Sequence, residues 1–280
     1  MRPIFLSLAL LLAPCVALAQ SLPQHLQDIS VTVLTGNGSG SGVVITRECR
    51  VKNTGNETAK VNFIWTAAHV VDSLRAERDT VDSKTGSPRK VVEFRPMFVA
   101  KNLVENGRKV GETKMEGRIL KYSDSENGED LALCMLYKRD FVKANTKFYL
   151  EDAAPEIGVK LFHVGSLLGQ GGSNSMTTGI LSQVGRVITL NNRPIVFDQT
   201  TVTAFPGSSG GGVFVAEGDK AGQYVGMLVR GSGETFNLIV PARRLKDFAT
   251  RHDLLWAIDD KATMPSLEDL EKINVEDVVK

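Results

Sequence analysis

The sequence predicts an all-β protein, a sandwich or a barrel, with one helix late in the chain. Two observations lead there. Gly, Ser, Thr, Asn and Asp punctuate the 280 residues at short intervals, with β-branched runs between them at 29–34, 43–46, 61–66, 91–99, 131–137, 160–164, 186–190, 213–215 and 224–229. Many short strands at that spacing mark antiparallel architectures. No amphipathic stretch long enough for a helix separates them in the middle of the chain, as a doubly wound α/β fold would require.

At the N-terminus Arg2 gives a positive start, residues 4–12 an apolar run and Ala17-Leu18-Ala19 a cleavage site, so residues 1–19 read as a signal peptide with Gln20 first in the mature chain. The apolar run is short for a membrane span. The expectation is therefore an exported protein, secreted or periplasmic, with no membrane anchor after signal cleavage. The segments 75–90 and 122–129 are polar and read as surface loops, and 140–157 reads as a connector between two halves. The late helix opens at Pro241, with Leu245, Phe248, Leu254 and Leu255 on its apolar face. Ser266 and Asp269 can cap a short helix in the acidic tail.

Lys+Arg number 33 and Asp+Glu 32, a balance unlike the basic face of a nucleic-acid protein, so no nucleic-acid partner is expected. The 42% hydrophobic content is enough for a core and argues against disorder. Removal of residues 1–19 leaves Cys49 and Cys134, without a Cys/His cluster for a metal. Neither a metal nor a cofactor is expected.

Three local signals carry chemistry. Pro206-Gly207-Ser208-Ser209-Gly210-Gly211-Gly212 forces a tight turn that exposes a hydroxyl and aims backbone N–H groups at one point, which acyl transfer needs. The same residues fit a lipase-type elbow, but strand-like 213–215 follows where that motif needs a helix. Trp65-Thr66-Ala67-Ala68-His69 ends an apolar run in a histidine with small neighbours, leaving room for a nucleophile to approach. Asp130-Leu131-Ala132-Leu133 opens a hydrophobic run with an aspartate able to orient an imidazole. Each signal alone has a bland reading: a Gly-Ser surface loop, a satisfied core histidine, a turn acid. The chain order His, Asp, Ser separates this arrangement from α/β-hydrolases and subtilisins.

Thr66-Ala67-Ala68-His69, Asp130-Leu131-Ala132-Leu133 and Gly207-Ser208-Ser209-Gly210-Gly211 resemble the T-A-A-H, D-[IL]-A-[LV] and G-[DN]-S-G-G motifs of trypsin-like (chymotrypsin-fold) serine peptidases. Gly38-Ser39-Gly40-Ser41-Gly42-Val43-Val44-Ile45, Thr178-Gly179-Ile180-Leu181-Ser182 and the segment 199–207 resemble the bacterial HtrA-type branch. The resemblance spans roughly 29–248. It implies two antiparallel β-barrels with a C-terminal helix, the first at about 26–140 and the second at about 155–240, within a protease domain of 20–250. Residues 251–280 then hold the helix end and the acidic tail. It implies catalytic His69, Asp130 and Ser209, an oxyanion hole from the amides of Gly207 and Ser209, and a protein or peptide substrate. Ser208 departs from the family's acid or amide, so zymogen-type activation by a new N-terminus is not expected; nor is there room for a PDZ domain. Two other functions fit the same residues, an inactive trypsin-fold binding protein and an esterase. By resemblance Thr203, Ala204 and Phe205 form one wall of the substrate pocket and Val229, Arg230 and Gly231 the other. No acid lies between Gln199 and Ser209, so a small or medium apolar side chain is expected there rather than Lys or Arg, with Glu234 the one acid near the second wall. Cys49 and Cys134 both fall in the first barrel, as a disulfide or as two separate thiols.

Overall fold

The computed structural model describes residues 20–36, 38–51, 57–82, 84–105, 108–138, 141–231 and 235–276. The proposed signal peptide, residues 1–19, and Glu234 lie outside them. After a short helix, α1 (Leu22–Asp28), come β1 (Ser30–Leu34), β2 (Ser39–Arg50), β3 (Thr58–Thr66), the one-turn helix α2 (Ala68–Val71), β4 (Arg75–Val81), β5 (Pro88–Phe94), β6 (Met97–Glu105), β7 (Arg108–Ser123) and β8 (Leu131–Leu136). Six of these strands close a barrel in the order β1-β2-β3-β8-β7-β6, and β4 and β5 form a separate hairpin. The second half holds β9 (Lys147–Phe148), β10 (Lys160–Leu167), β11 (Gly172–Leu190), β12 (Arg193–Thr200), β13 (Gly212–Val215), β14 (Gln223–Gly231) and β15 (Asn237–Pro241). They run β13-β10-β11-β12-β15-β14-β9, and a further pairing of β13 with β14 brings the sheet back on itself. α3 (Ala242–Arg251) and α4 (Leu267–Leu270) follow.

The all-β prediction stands, and several boundaries move for physical reasons. Residues 75–90, read as a loop, belong to the β4–β5 hairpin; β4 is almost wholly exposed, so it lacks the apolar alternation that marks a half-buried strand. The run 91–99, read as one strand, breaks at Arg95-Pro96, because β5 pairs with β4 while β6 pairs with β1 and β7. Pro241 is the N-cap of α3, and the helix stops at Arg251, so Leu254 and Leu255 lie beyond its end. Ser266 caps α4 as read, its hydroxyl accepting from Asp269 N–H at 3.2 Å.

Strand β3 shows how one sequence serves two cores. Val61, Phe63 and Trp65 belong to a cluster with Phe248 of α3 and Trp256, while Ile64 faces the barrel interior with Val33, Val44, Val99 and Cys134. Alternate side chains point to opposite faces, and every residue from Val61 to Thr66 is buried because both faces are covered. Trp65 meets Phe248 edge-on at 6.3 Å and donates its indole N–H to Ala257 O at 3.1 Å. The late helix thus braces the strand that runs into His69. Cys49 and Cys134 are buried in these two different clusters, on opposite faces of the barrel wall, and are not bonded to each other.

Candidate active site

His69 sits in α2 immediately after β3, and the fully buried Ala67 and Ala68 bring its backbone close to the neighbouring strands. Its Nδ1 lies 3.0 Å from each carboxylate oxygen of Asp130, and its backbone N–H donates to Asp130 Oδ1 at 3.1 Å. An ionised carboxylate only accepts, so the pair selects the Nδ1–H tautomer and leaves Nε2 as the free acceptor. Burial lowers the basicity of His69, but the hydrogen bond and charge of Asp130 outweigh it, and the imidazole is raised above its ordinary range.

Asp130 is 4% exposed and carries φ +57°. The left-handed conformation costs an L-residue roughly 1–2 kcal/mol, and the loop before it sustains this. Asp124 Oδ1 accepts from the amides of Glu126 and Asn127 at 2.8 and 2.7 Å, while Asp124 O accepts from Asp130 N–H at 3.2 Å. Glu129 next door is gripped by Arg244 at 2.6 Å and Arg251 at 2.9 Å, which ties the loop to α3.

Ser209 and Ser208 have opposite surroundings. Ser208 is 1% exposed and its hydroxyl accepts from Phe205 N–H at 3.1 Å, so it is consumed inside the turn. Ser209 lines a cavity of about 320 Å³ together with His69, Val70, Ser73, Thr35 and Gly207. Among the described residues no hydrogen bond joins its hydroxyl to His69, a looseness common before substrate binds. The turn needs glycine: Gly207 and Gly210 have φ +94° and +87°, and a Cβ on Gly210 would stand 2.2 Å from Ser41 O. Pro206 O accepts from Leu168 N–H at 2.8 Å and Gly207 O from Ser41 Oγ at 2.7 Å. Among the described residues the amides of Gly207 and Ser209 donate to no protein acceptor, as an anion-binding pair requires.

Ser41 is the residue that sequence reasoning left without a role. It is fully buried between the barrels. Its N–H donates to Ser209 O at 2.7 Å, its carbonyl accepts from Thr66 Oγ1 at 2.7 Å, and its hydroxyl bridges Ser166 N–H to Gly207 O at 2.7 Å each.

Beside Ser209 a cavity of about 450 Å³ is lined by Ala204, Phe205, Leu228, Val229, Arg230, Gly231 and Asn237 among others. Five of the six expected wall residues are there. Thr203 does not line it; the chain turns away at that point and Thr203 O accepts from Thr177 Oγ1 at 2.9 Å. Among the described residues no carboxylate lines the cavity. A third hollow, about 290 Å³, joins His69 and Arg230 to Ser125, Glu126, Leu190 and Asn191. Leu190 and Asn191 come from the tip of the β11–β12 hairpin and were not anticipated, although Asn191-Asn192, with φ +47° and +60°, is a two-residue hairpin signal.

A double β-barrel with a half-buried histidine on a buried aspartate, beside a glycine-framed serine, is the trypsin-like arrangement. The family model described as a trypsin-like peptidase domain matches residues 40–227, and the chain belongs to that family. Solved structures similar to it include a serine endoprotease and an HtrA-type protease. The serine endoprotease from Yersinia pestis shares 18% identity over 86% of this chain and 69% of its own, with a TM-score of 0.54. The HtrA-type protease AlgW, solved with a tripeptide, shares 17% over 84% of this chain and 64% of its own, with a TM-score of 0.56. Deg5 shares 20% over 85% of this chain and 94% of its own, with a TM-score of 0.53. No curated protein sequence matches.

Proposed function

We propose that the protein is a secreted or periplasmic serine endopeptidase that cleaves peptide bonds through an acyl-enzyme. The observation that carries this is the orientation of His69. Nδ1 is held by the buried Asp130 carboxylate at 3.0 Å, and the ring opens on the cavity that Ser209 lines. Ser209 Oγ attacks the scissile carbonyl and His69 Nε2 takes its proton. Asp130 stabilises the imidazolium, and the amides of Gly207 and Ser209 receive the oxyanion. His69 then protonates the leaving amine, and water cleaves the acyl-enzyme by the same steps in reverse. The buried, internally bonded hydroxyl of Ser208 supports Ser209 as the nucleophile. Export follows from the leader-like residues 1–19, and a mature protein beginning at Gln20 is its signature.

A fluorophosphonate probe is expected to label Ser209, identified by mass spectrometry. Ser209→Ala is expected to lower turnover by several orders of magnitude, down to what the oxyanion donors and binding sustain. Labelling at Ser208, or full activity in Ser209→Ala, refutes the assignment.

A further inference from the structure

Behind His69 a turn and a loop meet through a carboxylate that the chemistry above leaves unused. The turn is Asp72–Leu74, which continues directly from α2, and the loop is 124–130, which ends in Asp130. Asp72 joins them: Oδ1 accepts from Tyr122 Oη at 2.5 Å and Oδ2 from Ser125 Oγ at 3.4 Å. Tyr122 Oη also lies 3.5 Å from Asp124 Oδ2. Tyr122 is 3% exposed and held from behind, its N–H donating to Val275 O at 2.7 Å. Beside it Lys121 Nζ donates to Asn274 O and Glu276 O at 3.1 Å each, and Arg75 pairs with Glu276 at 2.7 Å. Asp72 is therefore fixed by two neutral hydroxyls, with no ion pair of its own among the described residues.

The charges around this pair define what Asp72 does. His69 faces three: Asp130, which is bonded to it, Asp72, which adds to the same pull, and Arg230, which opposes both. Burial pushes the Asp72 carboxyl above the usual range and the Tyr122 hydrogen bond counters it, with Asp130 and Asp124 reinforcing the rise and His69 opposing it. Burial and the bond to Asp72 push the Tyr122 phenol far up, so it stays a neutral donor.

We infer that Asp72 is a second carboxylate of the centre, a positioning residue that ties the His69 turn to the Asp130 loop and supplies negative charge to the imidazolium formed when His69 takes the Ser209 proton. This rests on the reading of His69 as general base. Asp72 itself neither gains nor loses a proton: the proton passes from Ser209 Oγ to Nε2 and on to the leaving amine.

The test compares Asp72→Asn and Asp72→Glu with the wild type by two readouts. One is the acid limb of kcat/KM against pH, which reports the free enzyme's base. The other is NMR titration of the His69 ring, assigned with a His69→Gln control. In Asp72→Asn both midpoints move to lower pH and kcat falls with KM little changed; Asp72→Glu restores them. Should Asp72→Asn not fold, Asp72→Ser keeps an acceptor for Tyr122 without the charge and carries the same expectation. Unchanged midpoints alongside a lowered melting temperature show a merely structural residue and overturn the inference. The NMR arm needs no turnover, so an inactive wild type refutes the peptidase reading while leaving the effect of Asp72 on His69 separately decided.

Discussion

Acid should unfold this protein partly through one buried ring, His163, which the chemistry does not use. His163 lies in β10 at 0% exposure, directly behind the nucleophile turn, where a Cβ on Gly211 would stand 2.5 Å from its Cε1. Nδ1 lies 3.0 Å from Gly212 O and so carries the proton, while Nε2 is buried with no hydrogen-bond partner among the described residues. A second proton would have to sit on that isolated nitrogen, and burial pushes the imidazole down to about 4 against an ordinary value of 6.5. Between those values the unfolded chain binds a proton that the folded one refuses, so stability is complete above about pH 6.5 and is lost as the pH falls toward 4. A gap of about 2.5 pH units at about 1.36 kcal/mol each makes the loss roughly 3 kcal/mol, a large share of a domain's margin of about 5–15. The assay is urea unfolding at steps from pH 7 to pH 4, on wild type and on His163→Asn, whose side-chain amide can still donate to Gly212 O. Both are made with Ser209→Ala to prevent self-digestion. The variant starts less stable but loses about 3 kcal/mol less over the window, and the other titrating groups cancel in the difference. Parallel pH dependences for the two proteins refute the reasoning.

Two further outcomes follow from the site. Tetrapeptide substrates differing only before the scissile bond should favour Ala, Val or Leu over Lys and Arg, because the cavity beside Ser209 offers no described carboxylate and already holds Arg230. Steps of one methylene should matter by only about 1–3 kcal/mol, and a dominant Lys or Arg preference refutes the pocket assignment. Ser41→Ala should lower kcat more than it raises KM, because it frees Gly207 O and Ser166 N–H inside the barrel interface. Each buried group left unpaired costs about 1–3 kcal/mol; an unchanged kcat refutes the role given to Ser41.

The parts of this molecule that were legible from sequence are those set by local constraint. Short β-branched runs between turn residues announced the strands, because both need only neighbouring residues to take effect. His69 and Ser209 stood out through Ala67-Ala68 and through Gly207 and Gly210, small residues present because backbone must approach backbone. What stayed hidden depends on partners far along the chain. Ser41 bonds to Ser166, Gly207 and Ser209, more than a hundred residues away; Gly40 and Gly42 beside it mark a close approach of chains but not which partners are reached. Strand β4 is polar and largely exposed, so periodicity could not mark it or its pairing with β5. Resemblance to the family put Thr203 in the pocket wall, but Thr203 O accepts from Thr177 Oγ1 and the residue does not line the cavity.

The left-handed residues around the cleft explain why the site belongs to the whole fold and not to either barrel. Gly207 and Gly210 adopt that conformation without penalty, but Asp130 (φ +57°) and Leu168 (φ +60°) do not. Leu168 is 69% exposed, an odd place for an apolar side chain, and its contribution is its N–H, which holds Pro206 O and so directs the next amide, that of Gly207, toward the cleft. Asp130 is turned so that its carboxylate reaches both the N–H and the ring of His69. Strain of this kind persists only where surrounding contacts over-determine it. Those contacts come from the other half of the molecule as well: Arg244 and Arg251 of α3 hold Glu129 beside Asp130, and Ser41 of β2 holds the Ser209 turn. Contacts therefore cross between the halves in both directions: α3 holds the loop that carries the strained Asp130, and β2 of the first barrel holds the Ser209 turn, so separating the halves would loosen both parts of the site.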